Sequence, residues 1–370
     1  MRIVIAPDSF KGSIGAAAAA QALASGWLSA RPGDQVRQLP LADGGEGTLE
    51  VLAAGSRAHR WHHAEVTGPA GGRVTSCWLE LPAETHAVEL ARASGLPLLA
   101  DPDPMRAQTT GIGELIGRAL DAGASRILIA LGGSASTDGG TGALGALGAR
   151  FLDAAGRDLP PGGGALADLA HVDLSGLRPP PPAGVTCLTD VRAPLLGPTG
   201  AAAVFGPQKG ADAALIKVLE AGLARLAGQL GGQPGAPGAG AAGGTAYGLA
   251  AAWGAEIAAG AAQLCRIAGL EQALAGADLI ITGEGRFDAT STEGKVTGAV
   301  FAAADAAAVP AALVAGQIAD DPPGSVWRCV ALADLADLAG GAGGAAAAQR
   351  EPARWLALAA RALALDAQAV

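Results

Sequence analysis

Apolar runs of four or five residues recur along the chain, each closed by a glycine-rich polar stretch and followed by an alanine-rich one. Runs of this kind read as strands buried on both faces, and the alanine-rich stretches as helices. Residues 2–6 form the first such strand, turning through 7–13 into a helix that reaches about Ala30, with Ser13 expected as its N-cap. A second strand, about 35–40, leads through 42–48 into another helix. Residues 59–91 have a different texture. The segments 59–66, 73–80 and 87–90 read as short strands around a turn at 68–72, which predicts antiparallel pairing. A helix at about 111–121 and an apolar strand at 127–131 follow, then a stiff proline connector at 179–182 and a strand at 185–189. Beyond the next helix, 231–244 is a long Gly/Pro/Ala loop. From about 277 the alternation returns, with strands at 279–282, 311–315 and 328–332 and helices at 296–307 and 352–368.

The first two strands and the last three make five, the count of a flavodoxin-like doubly wound α/β sheet. The pattern therefore predicts one domain from residues 1–58 plus 273–370, interrupted by an inserted mixed α/β domain at 59–272. At 370 residues the chain exceeds what one core usually spans. The cleft between two such domains is the default place for a ligand.

Composition narrows this picture. The chain has no asparagine and only four lysines against 21 arginines. Lys11, Lys209 and Lys295 lie in glycine- or serine-flanked turns, and Lys217 in an ordinary helical run. Where Arg is the default cation, a Lys kept in a tight loop marks a place for a compact point charge. The net charge of −9, with no basic stripe, argues against a nucleic-acid partner. Cys77, Cys187, Cys265 and Cys329 are scattered and read as small buried hydrophobes in a reducing compartment. The chain opens directly on a strand and has no charge-free apolar run of about 18 residues, so the expectation is a soluble, cytoplasmic protein without a membrane partner.

Five glycine loops carry acids or lysines: 7–13, 42–48, 132–140, 206–210 and 283–295. A sixth, 237–244, is nearly bare glycine and alanine. Glycine lets backbone N–H groups approach phosphate oxygens, lysine neutralises phosphate charge, and isolated carboxylates hold Mg²⁺ together with phosphates. Taken together the loops suit phosphoryl transfer, which depends on positioning and electrostatics. Taken singly, each is also what a tight α/β turn looks like. Asp190 ends an apolar strand before a proline-restricted turn, where a partly desolvated carboxylate can accept a hydroxyl proton; an ordinary turn acid fits as well. Arg286 is the only guanidinium in the 283–295 loop and suits a two-pronged grip on a substrate carboxylate, or a salt bridge to Glu284 or Asp288. His62 and His63 fall on opposite faces of a strand, which opposes a metal site there. H-E-x-x-H, G-x-S-x-G and strand-linked G-x-G-x-x-G motifs are absent.

The run Ile3-Val4-Ile5-Ala6-Pro7-Asp8-Ser9-Phe10-Lys11-Gly12-Ser13 resembles the opening of the bacterial glycerate kinase type 1 family. The likeness continues through 42–48, 132–140, 205–210, 237–244 and 282–295, in order over essentially the whole chain. It implies ATP- and Mg²⁺-dependent phosphorylation of D-glycerate, with 2-phosphoglycerate the favoured product. It also implies a flavodoxin-like domain interrupted by one described as restriction-enzyme-like.

On this resemblance Lys11 contacts the γ-phosphate and Asp190 is the catalytic base. Arg286 and Ser134 bind substrate. Ser9, Gly12, Gly44, Gly45, Lys209, Gly240, Gly283 and Lys295 bind the nucleotide, and Asp43, Asp138, Glu284 and Asp288 hold the metal. Glycerate and ATP are the expected partners, and a homodimer is left open. Thr137, Arg192, Ala193 and Thr290 stand where the family usually has Asn, Thr, Asn and Gln. They keep two alternatives in view: a kinase for another small hydroxy acid, and a nucleotide-binding sensor without turnover.

Overall fold

The structure, a computed structural model, describes residues 1–56, 58–292, 294–338 and 344–367. Glu293 and the expected end of the last helix at Gln368 lie outside them. Thirteen strands are present among the described residues: β1 (Arg2–Ile5), β2 (Gln35–Gln38), β3 (Arg60–Thr67), β4 (Arg73–Leu81), β5 (Thr85–Glu89), β6 (Arg126–Ala130), β7 (Arg150–Leu152), β8 (His171–Asp173), β9 (Val185–Leu188), β10 (Glu256–Ala258), β11 (Leu279–Phe287), β12 (Ala311–Ile318) and β13 (Val326–Ala331). They fall into two compact units.

The first unit comprises Met1–Asp43, Glu50–Arg57 and Gly260–Val370. Its sheet has the order β13-β12-β11-β1-β2, and every pair is parallel. Counted along this unit's own strands, that is the flavodoxin-like order. Alternate strand residues feed two cores. Ile3, Ile5, Leu279, Ile281, Ala312 and Val314 pack with the helices Ala16–Ala30 and Pro352–Asp366. Val4, Ile280, Ala311, Leu313 and Ala315 pack on the other face with Val296–Ala306. Burial on both faces is why these strands appear in the sequence as unbroken apolar runs. Gly26 lets the first helix close on the last: a Cβ there would stand 2.0 Å from the carbonyl oxygen of Ala357.

The second unit comprises Gly44–Leu49 and Ala58–Ala259. Its main sheet has the order β10-β9-β6-β5-β4-β3, parallel from β10 to β5 and antiparallel from β5 to β3. A small antiparallel pair, β7-β8, stands apart. In this division residues 260–272 belong to the first unit, and 44–49 and Ala58 to the second.

Three local expectations are corrected. The strand expected to stop at Thr282 continues to Phe287, with Glu284 paired to Ala315 and Arg286 to Gln317. Gly283 and Gly316 permit the close pairing, since a Cβ on either would meet a backbone oxygen at 2.0 or 2.3 Å. The helix expected to be capped by Ser13 starts only at Ala16, with Gly15 at its N-cap position. Ser13 instead donates its hydroxyl to the Phe10 carbonyl at 3.0 Å. Cys329 is exposed, unlike the other three cysteines.

Candidate active site

In the first unit β1 and β11 run side by side, and their carboxyl ends open into a pocket of about 370 Å³. Ligands of open α/β sheets sit at this end of the strands. The chain leaving β1 is tied down by the Asp8 N–H donating to the Gly283 carbonyl at 2.8 Å and by the buried Phe10 ring. Asp8 is 6% exposed and lines the pocket. One of its oxygens accepts the Ser9 N–H at 2.6 Å. Burial, helped by the charge of Asp43, pushes its carboxyl up to about 7. Lys11 follows a half-turn later with its side chain 73% exposed, its ammonium 3.2 Å from Asp43. The Asp43 charge holds its pKa above the usual lysine value.

The extension of β11 sets the opposite side. Strand alternation places Glu284 and Arg286 on one face, and both line the pocket with Asp288 and Lys295. Glu284 is buried and accepts the Thr297 hydroxyl at 2.7 Å; burial raises its pKa against the pull of that bond and of Ser291. Arg286 keeps its side chain 63% exposed, with a long 3.7 Å contact to Asp288. Asp288 takes both the N–H and the hydroxyl of Thr290 on one oxygen, at 3.0 and 2.6 Å, and these bonds hold its pKa down. Lys295 occupies the N-cap position of the helix Val296–Ala306. A cation is electrostatically unfavourable at a helix N-terminus unless an anion is bound there.

The second unit treats its loops differently. Asp138, at the exit of β6, is fully buried. It accepts the Thr109 N–H at 2.9 Å, the Thr109 hydroxyl at 2.7 Å, the Gly140 N–H at 3.1 Å and the Gly142 N–H at 3.3 Å. Lys209 is 2% exposed and donates to the Ser134 hydroxyl at 2.8 Å and to the Ser136 carbonyl. Asp190 lies just past β9, half-buried, inside a turn in which the Val191 N–H donates to the Thr189 hydroxyl at 3.2 Å.

Several of these side chains and glycines are engaged within the protein. Asp138 spends its oxygens on the Thr109, Gly140 and Gly142 donors. Lys209 is enclosed among its protein partners. The Gly240 N–H donates to the Ala193 carbonyl at 2.9 Å, and a Cβ there would stand 2.3 Å from the Pro194 carbonyl oxygen, so this glycine serves loop packing. Gly44, Gly45 and Gly283 are explained by packing too. A Cβ on Gly44 would lie 2.8 Å from the Leu188 carbonyl oxygen, and one on Gly132 would lie 2.4 Å from the Gly45 Cα. Asp43 pairs with Lys11, and Glu284 accepts from Thr297 and Ser291, while both line the pocket. Among the described residues no three His, Cys, Asp or Glu side chains gather as a metal group.

Ser9, Gly12, Lys11, Arg286, Asp288 and Lys295 all belong to the first unit, and all but Gly12 line its pocket. Two acids went unnoticed in the sequence. One is Asp8, overshadowed by its neighbours in the same motif. The other is Glu89, buried at the exit of β5, which receives the N–H groups of Gly47 and Leu49 at 3.3 and 3.4 Å. A carboxylate closing an apolar strand was the available signal for both. His62 stacks on Trp78 at 4.6 Å between ring centroids and pairs with Glu80 at 2.7 Å.

The model of the glycerate kinase family matches residues 3–367. The chain belongs to the glycerate kinase family. It is 43% identical to a glycerate kinase of Bacillus subtilis (strain 168) over 332 residues, covering 87% of this chain and 86% of the relative. It is 41% identical to a glycerate 2-kinase of Escherichia coli (strain K12) over 330 residues, covering 87% and 86%. The fold matches the crystal structure of a "putative glycerate kinase 2" from Salmonella typhimurium LT2 with a TM-score of 0.84 and 39% identity, covering 100% of this chain and 98% of that one. No described helix is long and apolar enough to cross a membrane.

Proposed function

We propose that this protein transfers the γ-phosphoryl group of ATP to D-glycerate, with 2-phosphoglycerate as the favoured product. The observation that carries this is the pocket of the first unit. There Lys11, Arg286 and Lys295 present cations at the carboxyl ends of β1 and β11, in a chain of the glycerate kinase family. The "2-kinase" named in the Escherichia coli relative supports the position of transfer.

In this reading Arg286 grips the glycerate carboxylate with two parallel N–H bonds. Lys11 neutralises charge that develops on the phosphoryl oxygens, and Lys295, with the helix N-terminus behind it, favours the nucleotide phosphates. Asp8 shares the pocket with Arg286 and takes the proton-accepting role first assigned to Asp190. The donor set fits a divalent cation such as Mg²⁺. That ion asks for only one or two carboxylates beside phosphate oxygens, and Asp288 has an oxygen not taken by Thr290. When bound, the metal would neutralise phosphate charge.

The test is a coupled assay on D-glycerate and ATP with NMR identification of the product, run beside L-glycerate and related hydroxy acids. Turnover on D-glycerate to 2-phosphoglycerate is expected. Faster turnover on another hydroxy acid would replace glycerate as the substrate, and binding of ATP with no turnover on any acid would overturn the enzymatic reading.

A further inference from the structure

We infer that the uncharged half of the first unit's pocket receives the adenine of ATP, and that Gln317 and Gln349 hold the edge of that ring. The inference deepens the glycerate kinase reading above and rests on it. The pocket follows the order of the sheet, from the exit of β1 across β11 and β12 to the exit of β13. Three strand spacings make this a span of about 14 Å, room for a ligand with two unlike ends. The lining divides along that line. Every charged residue in it belongs to β11, to the chain just past β1, β2 or β11, or is Lys295 at the start of the next helix. From β12 onward, between Gly316 and Pro352, the lining carries no charge.

This half suits a flat, weakly polar group. Gly285 and Gly316 both line the pocket, so part of the surface is bare backbone that a ligand can approach closely. Leu332 and Ala348, 1% and 5% exposed, add apolar wall. Two amides complete it. Gln317 stands opposite Arg286 in the ladder, and Gln349 lies on the helix Gly344–Arg350. Both are exposed and line the pocket, and neither side chain makes a hydrogen bond among the described residues. A carboxamide offers an acceptor beside a donor, which matches the amino group and neighbouring ring nitrogen on an adenine edge. An apolar recess with a few polar groups is the usual make-up of a site for such a ring. Glycerate and the phosphates are anionic and belong with the cations of the other half. The base is the one flat, uncharged part of either substrate.

The test uses Gln317→Ala, Gln349→Ala and the double variant in the full chain. The double variant should raise the KM for ATP about tenfold, with the KM for glycerate changed by about twofold or less. By calorimetry its Kd for ADP should rise about tenfold as well, whereas the Kd for inorganic tripolyphosphate, which has no base, should stay within about twofold. Ala345→Trp, which fills the uncharged half, should weaken ADP at least as much and spare tripolyphosphate. Unchanged ADP affinity in the double variant would overturn the proposal. So would equal weakening of ADP and tripolyphosphate, which would turn the amides toward the phosphates, and a rise confined to the KM for glycerate. If the wild-type protein binds ADP but does not phosphorylate glycerate, the activity reading falls, and the ADP and tripolyphosphate measurements still decide the base site.

Discussion

The β1 exit of the first unit and the β6 exit of the second are built from the same parts, a strand running into glycine with an aspartate and a lysine close by. They end as opposites. At the first, Lys11 and Arg286 stand mostly in solvent and Asp8 is left close to neutrality in its proton affinity. At the second, Asp138 and Lys209 are enclosed and consumed by protein partners. A charge that must meet a ligand has to keep donors or acceptors unspent. A charge that shapes a loop has to spend them, because an unpaired buried charge costs several kcal/mol. The contrast leaves charge available at one loop and commits it to holding the fold at the other.

The largest expected effect attacks the enclosed side. Asp138→Ala strips acceptors from the Thr109, Gly140 and Gly142 N–H groups and should lower stability by about 3–5 kcal/mol in urea unfolding. A loss below about 1 kcal/mol, within the range of ordinary surface changes, would mean the loop does not depend on this carboxylate. The next attacks the open side. Lys11→Ala should cut kcat by about 10²–10³-fold while leaving the urea midpoint nearly unchanged. Full turnover with glycerate and ATP would remove Lys11 from the chemistry.

The smallest effect is a pH slope. The folded-state pKa of Asp8 is raised from 3.8 to about 7, so the folded chain binds more protons than the unfolded one between those values. Stability from this group is therefore present below about pH 4 and declines as pH rises to about 7. The rise from 3.8 to about 7 corresponds to about 4 kcal/mol, set against a weakened contact to the Ser9 N–H. Asp8→Asn should thus be about 1–2 kcal/mol more stable than wild type at pH 8 and no more stable at pH 4. Equal thermal melts at both pH values would show that Asp8 is not strained by its surroundings. Lys209 acts in the opposite sense: its pKa is lowered, so the stability it contributes rises as pH climbs from about 7 toward the unfolded lysine value.

Much of the fold was legible because double burial writes itself into composition. Ile3–Ile5 and Leu279–Ile281 can only be core strands, and the alternation in 59–91 foretold the antiparallel part of the second sheet. The extension of β11 was not legible. Gly283, Glu284, Gly285 and Arg286 carry no strand propensity, and what keeps them in the ladder is the glycine-permitted approach of β12. Of the candidate site, the motifs were visible, and the burial of each charged side chain was not.

The sequence by itself determined the alternation of strands and helices, the five-strand count of the doubly wound sheet, and the loops in which charge would gather. Periodicity and glycine placement are local properties, and a linear chain displays them. Only the tertiary structure decided which charges face a pocket and which are locked inside. Lys11 and Lys209 look alike beside their glycines. Their difference comes from segments far away in the chain: Asp43 at the edge of an open pocket for one, Ser134 and Ser136 in an enclosed turn for the other. Burial is a property of what packs around a residue, and no stretch of sequence near that residue contains it.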